Sequence, residues 1–460
     1  MAPLSSEGVI VSLDRRRFLA QSGIAGVGVA LSGAIDALFT AANASSGPRH
    51  GYGALVPDPA GLLDLPSGFR YRVLSREGDV RPGGVVPSSF DGMGAFPGPG
   101  PEVRLVRNHE NRVGASVPVV APAELTFDPV AAGGTTTLHV RPDRVEERIS
   151  LGGTSTNCAG GQTPWQTWLT CEETEVRRGD GGHEQDHGWI FEVDPYRTVR
   201  NRHPTPLTAM GRFAHEAICV DPRTGVVYET EDAYGEKLGC FYRFLPAKPL
   251  GGHGSLRAGG RLQVMRVPDV PDLSVVQDPG ATFGGVEWID VPDPLATTTS
   301  VRLQDYGPRG VTHAEKLEGA WWGTDGGAYF VSSFAARAHG SEADHQGQVW
   351  RYAPATRELS LVVVFRSTDS DLFRTPDNIC MTPSGGLMLC QDGDGDSYLM
   401  GTTVAGEPYL FARNRQNIGT ESAPAYGEFA GACFSTDQRT LFVNCYAPGT
   451  TFAITGPFQR

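Results

Sequence analysis

The feature that most constrains the fold is the recurrence of short apolar segments separated by turn residues. One example is residues 217–220, which lead into the turn 221–225 and return as the apolar segment 226–228. Similar turns lie at residues 383–386 and 435–439. Each arrangement is the pattern of a β-hairpin. The 59 glycines and 34 prolines among 460 residues favour many short strands and turns over long helices.

The number of hairpins bears on the architecture. Many antiparallel hairpins in a chain of this length fit a β-propeller, in which radial closure protects the strand edges. A large β-sandwich is the alternative, and we find no fixed sequence period that decides between them. We predict an all-β fold of the propeller type, with residues 52–61 and 268–283 as irregular loop excursions.

The net charge limits the function. The formal net charge is −13 at pH 7, and a nucleic-acid-binding surface must be basic, so nonspecific nucleic-acid binding is excluded. An acidic chain also suits carboxylate-rich calcium sites, although acidity alone does not establish them.

The N-terminus has the pattern of an export signal. Residues 14–19 read DRRRFL, a twin-arginine pattern, and residues 42–44 read ANA, an A-x-A cleavage site. A membrane anchor is the alternative, but the apolar run 23–39 is short, rich in glycine and interrupted by Asp36. We predict a twin-arginine signal peptide over residues 1–44 and one domain over residues 45–460.

This prediction has consequences for localisation and partners. The expected partner during export is the Tat translocase, and the mature protein is expected in the periplasm or outside the cell. No later segment has about eighteen consecutive apolar residues, so we expect no stable membrane anchor. We expect the mature protein to be a monomer.

Residues 154–173, TSTNCAGGQTPWQTWLTCEE, are unlike an ordinary core strand. Residues 157–161 have turn chemistry because glycine permits backbone shapes that other residues avoid. Residues 165–171 predict a strand, in which Cys171 and Glu173 would share a face. The groups at the two ends of the segment could bind metal, and a hairpin with buried thiols is the alternative.

The remaining cysteines lie inside apolar or β-like segments. An exported protein could pair them, but their surroundings indicate small buried hydrophobic residues. They are Cys219, Cys240, Cys380, Cys390, Cys433 and Cys445.

Acidic residues recur in one context, at a strand edge beside a small residue. In a propeller the inner strand of each blade faces the central channel, so one acid per blade would converge there. Several convergent carboxylates cannot all stay ionised without cations. Oxygen ligands select hard cations such as calcium, and a thiolate among them favours a transition metal such as iron. The alternative is that such acids cap turns or form surface pairs. The acids are Glu110, Glu173, Glu216, Glu231, Asp232, Glu318, Asp377 and Asp392.

An ordered set of motifs resembles the PhoX-type alkaline phosphatase family. Besides residues 154–173, they are LPSGF at 65–69, DGM at 91–93, RNHE at 107–110, GRFAHE at 211–216, LEGAW at 317–321, PDN at 376–378 and AITGP at 453–457. Together they cover nearly all of the chain after residue 60. The resemblance implies a six-bladed propeller with two oxo-bridged ferric ions and calcium as cofactors, acting on phosphate monoesters.

The resemblance also implies roles for individual residues. Cys158 would be the thiolate ligand of iron, joined by Glu216. The cluster would be completed by Glu318 and Asp377, with Glu173 reaching the metals from the following strand. Candidates for calcium or substrate contacts are Asn108, Glu110, Glu231, Asp232 and Asp392. Asn108 and Lys316 are predicted to be catalytic.

Such a site suits a phosphomonoester, because bound metal stabilises the nonbridging oxygens and activates an oxygen nucleophile. No Gly-x-Ser-x-Gly elbow and no phosphate-binding P-loop motif is present. The sequence departs from the family at two positions. Lys316 stands where the family commonly has arginine, and Gln391 stands where it has a carboxylate. Strand alternation would put Lys316 on the same face as Glu318.

Two alternative functions stay open at this point. One is a calcium-dependent propeller hydrolase of the lactonase or phosphotriesterase type, which would not need Cys158 as a ligand. The other is a noncatalytic propeller that binds ligands in the cell envelope. Iron in the protein would favour the phosphatase, and calcium alone would favour the first alternative.

Overall fold

The part of the chain that the structure describes is built from β-strands. The structure is a computed structural model, and it describes residues 51–459 except 234–237, 340, 342, 367–371 and 394. The predicted signal peptide, residues 1–44, lies outside the described residues. One compact unit spans Arg49–Arg460.

The described strands form seven antiparallel sheets, of which six are the blades of a β-propeller and the seventh is a small hairpin of Val80–Arg81 and Gly84–Val85. We number the blades in chain order and give the strands of each from the channel outward. Blade 1 contains Phe90–Pro97, Val103–His109, Gly133–Val140 and Val145–Thr154, and blade 2 contains Asn157–Gln162, Trp168–Glu172 and Ile190–Val193. Blade 3 contains His215–Val220, Val227–Glu231, Gly239–Pro246, Gly260–Arg266 and Glu287–Asp290, with His313–Ala314 paired to its third strand, and blade 4 contains Leu317–Trp322, Ala328–Ser332, Gly347–Ala353, Glu358–Phe365 and Thr282–Phe283. Blade 5 contains Pro376–Met381, Leu387–Gln391, Tyr398–Thr402, Pro408–Asn414, Leu63–Pro66 and Leu55–Val56, and blade 6 contains Phe429–Phe434, Thr440–Cys445, Thr450–Thr455 and Arg70–Arg76.

The two ends of the described chain close the ring together. Arg70–Arg76 pairs with Thr450–Thr455 and completes blade 6. Leu63–Pro66 pairs with Pro408–Asn414 at the edge of blade 5. Because strands from the N-terminal part finish blades built by the C-terminal part, the ring leaves no open seam between blades.

The hydrophobic core is divided among the blade interfaces. Phe96 and Val106 of blade 1 pack with Phe191 of blade 2, and equivalent clusters lie between each of the other neighbouring pairs of blades. Both faces of a blade are therefore apolar, and the blades stack like the sheets of a sandwich.

The structure confirms the propeller that the hairpins predicted. Residues 52–61 and 268–283 are largely irregular, and each contributes a two-residue strand to a blade edge. The prediction of a turn over residues 157–161 was wrong, because Asn157–Gln162 is the innermost strand of blade 2. The predicted strand over residues 165–171 begins later, at Trp168.

The helices of the described residues are short 3₁₀ turns in the loops. They are Ala123–Leu125, Asp180–Gly182, Thr198–Asn201, Thr208–Met210, Ser255–Ala258, Leu273–Val275, Val301–Leu303 and Arg337–His339. Within the described part of the chain, no helix is long and apolar enough to cross a membrane.

Candidate metal centre

The candidate site is built on a backbone irregularity that each innermost strand repeats near its start. In every blade the pairing with the second strand shifts so that two residues of the innermost strand face one residue of its neighbour, which is a β-bulge. The two bulge residues are, in blade order, Asp91 with Gly92, Cys158 with Ala159, Glu216 with Ala217, Glu318 with Gly319, Asp377 with Asn378, and Gly431 with Ala432.

The second residue of each bulge lines the central channel of the propeller. The channel is narrow at this level, with a cavity of about 20 Å³. A side chain has no room at this position in blades 1 and 4. A Cβ on Gly92 would lie 2.6 Å from the Cα of Ala159, and one on Gly319 would lie 2.7 Å from the carbonyl oxygen of Asp377. The sequence pattern of an acid beside a small residue therefore arises because neighbouring bulges touch.

The first bulge residues meet in groups that could hold metal. Ligand atoms of Cys158, Glu173 and Glu216 lie within 4.8 Å of one another, and so do those of Glu216, Glu318 and Asp377. A third group consists of Asp377, Asp392 and Glu428. Because Glu216 and Asp377 are each shared by two groups, the three form one continuous set, which we call the central cluster.

The thiol of Cys158 lies in an environment that opposes its ionisation. Cys158 is buried, and burial raises the pKa of its thiol. The negative charges of Glu216, Glu173 and Asp91 raise it further. A thiolate among several carboxylates needs a compensating cation, and metal binding deprotonates a cysteine ligand. The donor set of the cluster therefore fits a bound metal ion.

In each blade one residue of the second strand faces the bulge. The position two residues after it is also equivalent from blade to blade, and in four blades it holds an acid. The acids are Glu110, Glu173, Asp232 and Asp392, at the ends of the second strands of blades 1, 2, 3 and 5. Glu173 and Asp392 belong to the central cluster. Glu110 forms an ion pair with Arg112 at 3.0 Å.

The side chain of Asn108 supports the bulge that carries Cys158. Its amide nitrogen donates to the carbonyl oxygens of Cys158 and Ala159, at 3.0 and 2.6 Å. Its oxygen accepts from the Trp168 indole N–H and the Thr170 hydroxyl, both at 2.9 Å. These bonds use the donors and acceptors of an amide. Asn108 thus lies in the position of a residue that orients a metal ligand.

Thr230 faces the bulge of blade 3, as Asn108 faces the bulge of blade 1, and its side chain is likewise hydrogen-bonded to the bulge of the next blade. Its hydroxyl oxygen accepts from the backbone N–H of Ala217 at 3.0 Å, and its O–H donates to the carbonyl oxygen of Glu318 at 2.6 Å. One side chain therefore ties the bulges of blades 3 and 4 together.

Lys316 lies at the edge of the central cluster. Its Nζ is 2.9 Å from Asp232 Oδ2 and 3.0 Å from Glu318 Oε1. Its backbone adopts a left-handed conformation with φ of 46°, which is uncommon for a residue other than glycine. The ammonium group thus balances two of the predicted ligands. It lies beside Glu318, but Lys316 precedes the strand Leu317–Trp322, so the strand alternation used in the sequence analysis does not explain this position.

Glu231 lies in surroundings different from those that the sequence predicted. Its carboxylate accepts a 2.6 Å hydrogen bond from the Tyr242 hydroxyl and pairs with Arg302 at 3.0 Å. Burial raises its pKa to about 7. It belongs to none of the metal-compatible groups among the described residues, so we assign it to the packing of blade 3.

Sequence reasoning did not single out Asp91, which holds the first bulge position of blade 1, or Glu428, which belongs to the third metal-compatible group. Asp91 precedes Gly92, so the acid-beside-glycine pattern was a usable signal. Glu428 comes directly before the innermost strand of blade 6, and no local pattern marked it. The eight cysteines are buried and free, so the prediction of buried thiols for the six later cysteines is confirmed.

The fold and the cluster define a β-propeller with acidic side chains and a thiol gathered at its centre. A model of the family described as alkaline phosphatase PhoX matches residues 50–149 and 142–449. The chain belongs to the alkaline phosphatase PhoX family. It is therefore a phosphoric monoester hydrolase, which acts on small-molecule phosphate esters.

One solved structure supports the fold. The chain is 19% identical to Pseudomonas fluorescens PhoX in complex with vanadate, a transition-state analogue, with a TM-score of 0.62 over 86% of this chain and 96% of that one. A gluconolactonase of Xanthomonas campestris is 14% identical, with a TM-score of 0.38 over 89% of this chain and 99% of that one. No curated protein matches the sequence.

Proposed function

We propose that this phosphatase hydrolyses phosphate monoesters at metal ions held by the central cluster. The observation that carries the proposal is the convergence of Cys158, Glu173 and Glu216 within 4.8 Å. Cys158 packs in the apolar interface between blades 2 and 3, but a buried thiol beside the carboxylates of Glu173 and Glu216 costs free energy unless a cation compensates the charges.

The chemistry of the groups suggests which metals they take. The group with Cys158 includes sulfur, which favours a transition metal, and we propose iron there, as a pair of oxo-bridged ferric ions with Glu216, Glu318 and Asp377. The group of Asp377, Asp392 and Glu428 offers oxygen alone, which suits calcium. Bound metal would supply Lewis acidity and lower the pKa of a coordinated water.

Lys316 belongs to the proposed machinery as a cation beside the metal ligands. Its ammonium group would stabilise charge on the phosphoryl oxygens as a point donor, where an arginine would bind two oxygens. We expect Lys316→Ala to lower kcat roughly 10²-fold, the scale of losing one preorganised donor, with a normal metal content. Lys316→Arg should keep or raise kcat. An alanine variant within about twofold of the parent, too small a change for a lost charged contact, would remove Lys316 from the machinery.

The test of the proposal is kinetic and reversible. The purified protein should hydrolyse a small aryl phosphate monoester, lose this activity on chelation and regain it when iron and calcium are restored. A lactone and a phosphate triester serve as comparison substrates. Activity that persists after chelation has removed all iron and calcium would refute the proposal, and so would preference for the lactone or the triester.

We propose in addition that the protein is exported by the Tat translocase and acts as a monomer without a membrane anchor. The support is the DRRRFL pattern at residues 14–19 and the ANA site at residues 42–44. Arg15→Lys combined with Arg16→Lys should leave the precursor in the cytoplasm. Normal export of this double variant would overturn the Tat assignment, and light scattering of the mature protein tests the monomer.

A further inference from the structure

We propose that Arg112 binds the phosphate group of the incoming substrate at the mouth of the central cluster. The inference rests on the proposed function of the cluster and adds a substrate-binding residue to it. Sequence reasoning did not single out Arg112, and its role follows from position, exposure and charge.

Arg112 lies on a corner that is hydrogen-bonded to the segment leading to the thiol. The carbonyl oxygen of Asn111 accepts from the Thr156 N–H at 3.1 Å, and the carbonyl oxygen of Thr156 accepts from the Glu173 N–H at 2.9 Å. The residue before Arg112 is thus joined through Thr156 to Glu173, a member of the central cluster. The corner that carries Arg112 therefore borders the central cluster, and we call it the rim.

The side chain of Arg112 is directed toward the acids of this rim. Its Nη2 is 3.0 Å from Glu110 Oε1, and Glu110 is almost fully buried. Glu110 holds in blade 1 the position that Glu173 holds in blade 2. Burial raises the pKa of Tyr446, and the negative charges of Glu110, Glu428 and Asp91 raise it further, so each of these acids lies near Tyr446.

Arg112 and Lys316 differ in exposure, and the difference separates their roles. The side chain of Arg112 is 46% exposed, and that of Lys316 is 10% exposed and held by Asp232 and Glu318. The guanidinium group is therefore accessible to a dianion from solvent, whereas the ammonium group is largely enclosed by its two carboxylate partners. A guanidinium presents five donors in a planar fork that matches two phosphate oxygens.

A cation at the rim adds to the positive charge that metal ions would supply in the central cluster. Carboxylates around the mouth repel a phosphate dianion unless positive charge offsets them. Arg112 binds the phosphate group in the substrate, in the transition state and in the product alike, since it contacts the group from the rim. Such uniform binding changes KM and leaves kcat nearly unchanged, in contrast to the effect expected for Lys316.

The experiment compares Arg112→Ala and Arg112→Lys with Arg144→Ala. Arg144 is a matched control because its side chain is 55% exposed and pairs with Glu146 on the outermost strand of the same blade. Steady-state kinetics on a small aryl phosphate give kcat and KM. Titration calorimetry with inorganic phosphate gives its dissociation constant independently of turnover, and elemental analysis gives the metal content.

Arg112→Ala should raise KM and the phosphate dissociation constant roughly 10- to 100-fold, the scale of a lost hydrogen bond to a charged group, with kcat and metal content near the parent values. The KM and phosphate dissociation constant of Arg112→Lys should lie between those of the parent and those of Arg112→Ala. Both constants of Arg144→Ala should match the parent values. A KM and a phosphate dissociation constant of Arg112→Ala within about twofold of the parent would overturn the inference. If the parent binds phosphate through Arg112 but hydrolyses no ester, the proposed function fails and the binding role of Arg112 stands.

Discussion

The bulge of blade 6 has the same register shift as the bulges of the other five blades but differs in the side chain that it carries. Blades 1 to 5 place Asp91, Cys158, Glu216, Glu318 and Asp377 at the first bulge position, and blade 6 places Gly431 there. The register shift is therefore a property of the fold, which directs a side chain toward the centre wherever one is present.

Packing explains why blade 6 is different. Gly431 has a φ of +60°, and a Cβ there would lie 2.5 Å from the carbonyl oxygen of Asp91. Its N–H donates to the side-chain oxygen of Asn378. Gly431 thus lies between a side chain of blade 5 and the backbone of blade 1, in the blade that also closes the ring. Five bulges provide candidate ligands, and the sixth provides close packing between blades.

The largest effect is expected at Glu216, which belongs to two of the three groups. Glu216→Gln keeps the size of the side chain and removes its charge. Metal content should fall, and kcat/KM should fall roughly 10³-fold or more, the upper end of losing one preorganised electrostatic group. Glu358→Gln, on an outer strand of blade 4, is the control. Full activity of the Glu216 variant would show that the bulge acids are not ligands.

The second prediction concerns the sixth bulge. Gly431→Ala should destabilise the fold by about 3 kcal/mol, because a left-handed conformation and a close backbone contact both oppose the methyl group. Gly280→Ala is the control, since Gly280 has a φ of +87° with open space around its Cβ position. Denaturant unfolding measures both variants. Equal losses of stability would mean that the contact with Asp91 is unimportant and that only the φ angle matters.

The third prediction concerns the side chain that holds a ligand-bearing bulge. Asn108→Ala leaves the carbonyl oxygens of Cys158 and Ala159 without its amide donor, so metal affinity should fall roughly 10- to 100-fold, as for other residues that orient ligands. Competition with a chelator measures this affinity. Thr230→Val tests the equivalent position of blade 3 and should have a smaller effect, since threonine makes fewer of these bonds. A normal affinity in Asn108→Ala would contradict the supporting role.

The smallest effect is a pH dependence in the loop before Trp189. The ring of His187 lies between Glu172 at 2.7 Å and Asp128 at 3.1 Å. Burial alone would lower its pKa, but the two carboxylates raise it overall. The stability that the charged ring contributes is thus fully present below the ordinary histidine pKa of about 6.5 and is lost as pH rises through the higher folded value.

This pH dependence can be measured by thermal unfolding of the parent and of His187→Gln. The melting temperature of the parent should fall between about pH 6 and pH 9 more steeply than that of the variant, because only the parent loses the charged ring over this range. Parallel curves would show that His187 is not a charged bridge.

The sequence predicted the propeller because short hairpins and turn residues are local signals. It also predicted that acids beside small residues would converge, and the contact between Gly92 and Ala159 explains that pattern. It could not predict the bulges. A bulge depends on pairing with another strand, so residues 157–161 were interpreted as a turn although they form a strand.

Long-range contacts explain the other differences. Glu231 and Asp232 are adjacent in sequence, yet one faces Tyr242 inside its blade and the other faces Lys316. Their side chains have different surroundings, and Asp232 is linked to Glu318 of the central cluster through Lys316. Glu428 joins Asp377 and Asp392 across two blades, a contact that no local pattern could indicate.

The most direct test of the metal centre is elemental analysis of the exported parent protein and of Cys158→Ser. The parent should contain iron and calcium. The variant should lose iron and phosphatase activity together, with any charge-transfer colour, because a hydroxyl is a poor substitute for a thiolate ligand. Equal iron in both proteins would contradict the account, and so would mass spectrometry of unreduced parent protein that finds Cys158 bonded to another cysteine.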